Sequence, residues 1–99
     1  MTCLITMKVP GDTATFQKAM SNRADEVLAV ADRAKQLGAI HHRFGVGDGY
    51  IHVVDEWETP EAFETFFSDA AMQKFVESIG ARGEPEITIS EAVRSVDQF

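Results

Sequence analysis

Hydrophobic and polar positions alternate along residues 2–9 (TCLITMKV), with Cys3, Ile5, Met7 and Val9 on one side and Thr2, Leu4, Thr6 and Lys8 on the other. A period of two belongs to a strand with one buried face, and Pro10-Gly11 ends it. Asp12 or Thr13 then offers a side-chain oxygen as a cap, and the period lengthens. Phe16, Met20, Ala24, Val27, Ala31 and Ala34 recur every three or four residues as far as Leu37, which predicts an amphipathic helix. Ser21 and Asn22 carry side chains that compete for backbone hydrogen bonds, so a kink or short break is expected there. Gly38 supplies the stop.

Period two returns over residues 39–57, interrupted by Gly45-Val46-Gly47-Asp48-Gly49, whose glycines accept positive φ. This is the pattern of a β-hairpin. Thr59-Pro60-Glu61 reads as a helix start, with Thr59 as cap and Pro60 at the first helical position. Ala62, Phe63, Phe66 and Phe67 form the apolar stripe of that helix. A second helical piece over residues 70–79 carries Met72, Phe75, Val76 and Ile79 and stops at Gly80. A last strand is predicted over residues 86–93.

The order β-α-β-β-α-β predicts an α+β, ferredoxin-like fold, a single domain over residues 1–99 with four antiparallel strands and both helices on one face. The other face would carry Leu4, Thr6, Tyr50, Val54 and Ala92 among Lys8, Arg43, His52 and Glu56. That surface is apolar enough to seek cover, and pairing two copies about a two-fold axis would close the sheets into an α/β barrel. A homodimer is the expected partner state.

Charge narrows the other partners. Sixteen acidic against nine basic residues give −7, and the basic ones are scattered rather than striped, so no nucleic-acid partner is expected. The longest apolar runs fall far short of the roughly 20 residues a spanning helix needs, so no membrane association is expected. The start, MTCLITMKVPGD, has neither the basic cluster nor the apolar run of a signal peptide, and Cys3 has no intrachain partner. A cytoplasmic location is expected.

Most candidate chemistry lies in residues 38–68, which hold all three histidines, the only tryptophan and the only tyrosine. His41 and His42 are adjacent on a strand and point to opposite faces, so they cannot share one ion. With no second cysteine and no HExxH, no metal site is expected, and no cofactor. The glycine-rich segment joins two strands, so no helix N-terminus is available to hold a phosphate. Cys3, with no base or cation predicted nearby, reads as a packing residue.

The hairpin itself makes a sharper prediction. A two-residue turn at Asp48-Gly49 sets Val46 against Ile51, Phe44 against Val53 and His42 against Asp55. A carboxylate beside an imidazole fixes its tautomer and makes it a better base. His42 and Asp55 are therefore the candidate catalytic pair, although a purely structural hydrogen bond would look the same in sequence. His41 and His52 would face the other side of the sheet. Trp57, Phe44, Phe63, Phe66 and Met20 are the expected ligand-binding wall; Trp57 by itself reads first as simple core, and its place in that wall is strengthened only by the resemblance described below.

The stretch DEWETPEAFETFFSDAAMQKF resembles the dimeric α/β-barrel superfamily and, within it, the antibiotic-biosynthesis-monooxygenase-like family. Carrying the likeness are Asp55, Trp57 at the end of the third strand, the acidic loop, Ala62-Phe63 and Ser68-Asp69. The resemblance implies a dimer with a pocket between sheet and helices. In enzymatic members it implies oxygenation of polycyclic phenols to quinones without metal or flavin. The family's frequent helix histidine falls at Phe66 here, and the ligands of haem-degrading relatives are absent from Thr6, Met7 and residues 72–75. Two readings stay open: a cofactor-independent monooxygenase acting on a small aromatic or phenolic ligand, and a non-catalytic binding or structural homodimer whose pocket is filled by its own aromatic side chains.

Overall fold

Strand β1 (Cys3–Pro10) carries the alternation through without a break: Cys3, Ile5, Met7 and Val9 are buried and the residues between them exposed. The computed structural model describes all of residues 1–99. After β1 come α1 (Thr13–Asn22), α2 (Ala24–Leu37), β2 (Ala39–Val46), β3 (Tyr50–Trp57), α3 (Pro60–Phe67), α4 (Ala70–Ser78) and β4 (Glu86–Glu91). The strands form one antiparallel sheet in the order β2-β3-β1-β4. This is the ferredoxin-like arrangement, with each helical unit divided in two. β4 stops two residues short of the expected end.

Local chemistry sets the helix boundaries. The Asp12 carboxylate accepts the Thr15 N–H at 3.1 Å, and that bond holds its carboxyl below the usual value. Thr59 caps α3 through Ala62 N–H and Asp69 caps α4 through Met72 N–H, each at 3.1 Å. The break in the first helical unit falls at Arg23, one residue beyond Ser21-Asn22. Tertiary contacts decide the spot: the Arg23 guanidinium donates to Ser78 Oγ at 2.9 Å and lies 5.4 Å over the Phe75 ring, tying the junction to α4.

The helices cover one side of β1, β2 and β3, where Ile5 and Trp57 are the most completely buried large side chains. Phe16 and Ala19 from α1 and Phe63 and Phe66 from α3 pack onto them. All of β4 is exposed. Gly11 and Gly80 let the β1–α1 loop and the loop after α4 cross at contact distance, with the Asp12 N–H donating to Gly80 O at 2.9 Å. Gly80 has φ of 124°, and a Cβ there would sit 2.7 Å from Asp12 O. We expect Gly80→Ala to destabilise the fold by about 2 kcal/mol or more, combining positive-φ strain with displacement of that carbonyl. Urea unfolding measures it.

Candidate functional site

The hairpin register puts the chemistry in place. Val46 pairs with Ile51, Phe44 with Val53 and His42 with Asp55, as a turn at Asp48-Gly49 requires, and Gly49 takes the positive φ of 79°. One irregularity lies at the other end of β2. Ala39 pairs with Trp57 and His41 with Glu56, so Ile40 is an extra residue, a β-bulge. Without it Ala39 and His42, three apart, would face opposite sides. With it, both meet the same cavity.

Asp55 is the polar centre. It is only 8% exposed, yet both carboxylate oxygens have partners. Oδ1 lies 2.6 Å from His42 Nδ1, and Oδ2 accepts the Trp57 indole N–H at 3.0 Å. An ionised carboxylate only accepts, so His42 Nδ1 carries the hydrogen and Nε2 is left as the imidazole's free lone pair. The His42 side chain is 42% exposed and also lines the cavity, which places it at the mouth. Edge strand β2 has a neighbour on one side only, which leaves the ring partly open to solvent.

Behind His42 is a cavity of about 140 Å³ between the sheet and the helices. Trp57, Phe44, Phe63, Phe66 and Met20 all line it, together with residues that sequence reasoning treated only as core, among them Phe16, Phe67, Met72 and Phe75. Of 23 lining residues, 21 are apolar, and the other two are His42 and Asp55. The aromatic side chains meet in three geometries: edge to face for Phe16 with Phe44 at 4.9 Å and Trp57 with Phe63 at 5.7 Å, tilted for Trp57 with Phe66 at 5.4 Å, and stacked for Phe63 with Phe67 at 5.6 Å between ring centres. His42 stands edge-on to Phe44 at 4.4 Å.

His41 and His52 do not line the cavity; they pair with Glu56 and with Lys8 and Gly45 on the neighbouring strands. No cluster of three or more His, Cys, Asp or Glu side chains is arranged to hold a metal ion. Cys3 is buried beside Trp57, and burial pushes its thiol above the usual value, in keeping with packing. Sequence reasoning missed the indole-to-carboxylate bond. The signal was Asp-x-Trp on a strand, which puts both side chains on one face, next to the rule that a buried indole N–H seeks an acceptor.

The fold and site together define a ferredoxin-like α+β domain with an apolar sheet–helix cavity. No protein-family model and no curated protein matches the sequence, so the likeness is structural and shows the fold. The chain is similar to a monooxygenase from the gene ActVA-Orf6 of Streptomyces coelicolor, solved in complex with nanaomycin D, with a TM-score of 0.65 and 15% identity over 98% of this chain and 92% of that one. It is also similar to an antibiotic biosynthesis monooxygenase, with a TM-score of 0.62 and 13% identity over 95% of this chain and 100% of that one. A conserved protein from Methanosarcina mazei Go1 gives a TM-score of 0.63 and 11% identity over 91% of each chain.

The indole bond has a measurable consequence. Trp57→Phe keeps an aromatic ring but strips Asp55 Oδ2 of its donor inside an apolar wall. We expect a loss of about 1–3 kcal/mol in denaturant unfolding, whereas Phe67→Leu, which changes neither partner of Asp55, should leave the His42–Asp55 bond intact by its imidazole proton resonance.

Proposed function

We propose that this protein binds a small aromatic ligand in the cavity behind His42 and acts there as a cofactor-independent monooxygenase on a phenol, working as a homodimer. The observation that carries the reading is the isolation of the His42–Asp55 pair as the only polar groups on an otherwise apolar cavity wall. Such a site orients one polar end of a ligand and leaves the rest to apolar packing.

The chemistry follows from the free nitrogen. His42 Nε2 takes the phenolic proton, Asp55 steadies the imidazolium through Nδ1–H, and Trp57 holds the carboxylate in the rotamer that allows it. The electron-rich phenolate then reacts with dioxygen at a ring carbon. The net reaction of a phenol with dioxygen gives a quinone and water, and the apolar walls limit access of bulk water. The fold shared with the Streptomyces coelicolor monooxygenase supports this reading.

His42→Ala should lower kcat/KM on a phenol by about 100-fold or more, while His41→Ala leaves the value within about twofold. Oxygen uptake with quinone absorbance measures both. Equal loss in the two variants, or none in either, defeats the assignment of the base.

The homodimer rests on the uncovered sheet face. Leu4 and Val54 there are 44% and 47% exposed although they lie on interior strands. An apolar face of this kind on a small domain is commonly covered by a second copy. Sedimentation at micromolar concentration should give twice the chain mass, and Val54→Lys should convert it to monomer.

A further inference from the structure

The volume and polarity of the cavity say more than that a ligand is aromatic. About 140 Å³ is close to the roughly 150 Å³ of an engineered apolar cavity that accepts benzene, and well below the roughly 300–1,000 Å³ of sites for drug-sized molecules. One ring with short substituents fills such a space, and fused rings do not. The Trp57–Phe66 and Phe16–Phe44 ring pairs are part of its wall.

Polarity restricts the ligand further. Neither lysine nor arginine lines the cavity, so a carboxylate, phosphate or sulfate carried inside would lose its hydration without a cationic partner. The nearby Asp55 carboxylate opposes any such anion as well. A single hydroxyl would be matched: it would donate to the unoccupied Nε2 of His42 at the mouth, with the ring inward among Trp57, Phe66 and the other apolar lining. A second hydroxyl on the far side of the ring would press against apolar wall alone.

We propose that the ligands of this site are uncharged, single-ring phenols with one hydroxyl and short apolar substituents, rather than polycyclic or anionic phenols. This inference rests on the reading of the His42–Asp55 cavity as the ligand site, and the test separates the two.

The full chain is titrated with four probes while the indole N–H resonance of Trp57, the only tryptophan, is followed by NMR. para-Ethylphenol is expected to shift that resonance saturably. Ethylbenzene, which lacks the hydroxyl, should bind about tenfold more weakly. para-Hydroxyphenylacetate and phenanthrol should each also bind at least about tenfold more weakly, for lack of a cationic partner and for lack of room. Phe66→Leu, a modest change that enlarges the space beside Trp57, should raise the affinity for phenanthrol relative to para-ethylphenol several-fold. If phenanthrol or para-hydroxyphenylacetate binds wild-type protein as tightly as para-ethylphenol, the ligand class is wrong and the site stands. An unchanged affinity ratio in Phe66→Leu overturns the size argument. If no probe moves the indole resonance, or His42→Ala binds para-ethylphenol and ethylbenzene with the wild-type ratio, the site reading falls and the ligand class falls with it.

Discussion

A charged carboxylate inside an apolar layer is the constraint around which this fold is arranged. Removing Asp55 from water is costly unless its oxygens find donors, and an orphaned acceptor at that depth would cost about 1–3 kcal/mol or more. Both donors come from the hairpin: the His42 imidazole from across the strand pair and the Trp57 indole from two residues along the same strand. Every buried side-chain nitrogen and oxygen in the protein has a partner. The remaining interior is apolar, so its polarity is concentrated at one point of one wall. That asymmetry is the feature on which the proposed ligand site rests.

Strand pairing has to hold the residues in that relation. A slip of one residue between β2 and β3 would move His42 to the opposite face, away from Asp55. Two features guard against it. Gly47 and Gly49 form a tight connection in which a side chain at Gly47 would collide with the Tyr50 ring. At the far end the Ile40 bulge absorbs one residue, so Ala39 still packs opposite Trp57. The bulge and the turn fix the two ends of the same pairing, with the His42–Asp55 bond between them.

Much of this was legible in the sequence, for local reasons. The alternation in β1 and the even-length turn determine side-chain parity, and parity alone puts His42, Phe44, Val53, Asp55 and Trp57 on one face. What could not be read depends on contacts between distant segments. The first helical unit breaks at Arg23 because Ser78 and Phe75, more than fifty residues away in sequence, meet it there; the composition of residues 21–22 identified only the neighbourhood. The Ile40 bulge carries no proline or glycine to announce it. The exposure of His42 follows from β2 being an edge strand, a property of sheet order rather than of the hairpin. The dimensions of the cavity are set by how seven elements, all but β4, pack together.

Those dimensions bear on why the cavity exists at all. Void left in a core costs about 24 cal/mol per Å³, so 140 Å³ corresponds to about 3 kcal/mol of forgone packing. Against a net stability of about 5–15 kcal/mol for a typical protein, that is a substantial share. The means to close it are at hand: seven phenylalanines and four methionines are present in the chain, and larger residues at Ala31, Ala34 or Ala39 would occupy the space. Instead, alanines line the side contributed by α2 and the start of β2. A chain whose interior served only to hold itself together would recover those few kcal/mol by filling the void. Keeping it open beside a preoriented imidazole is what a ligand site requires, and a bound ligand would return the lost contacts to the folded state.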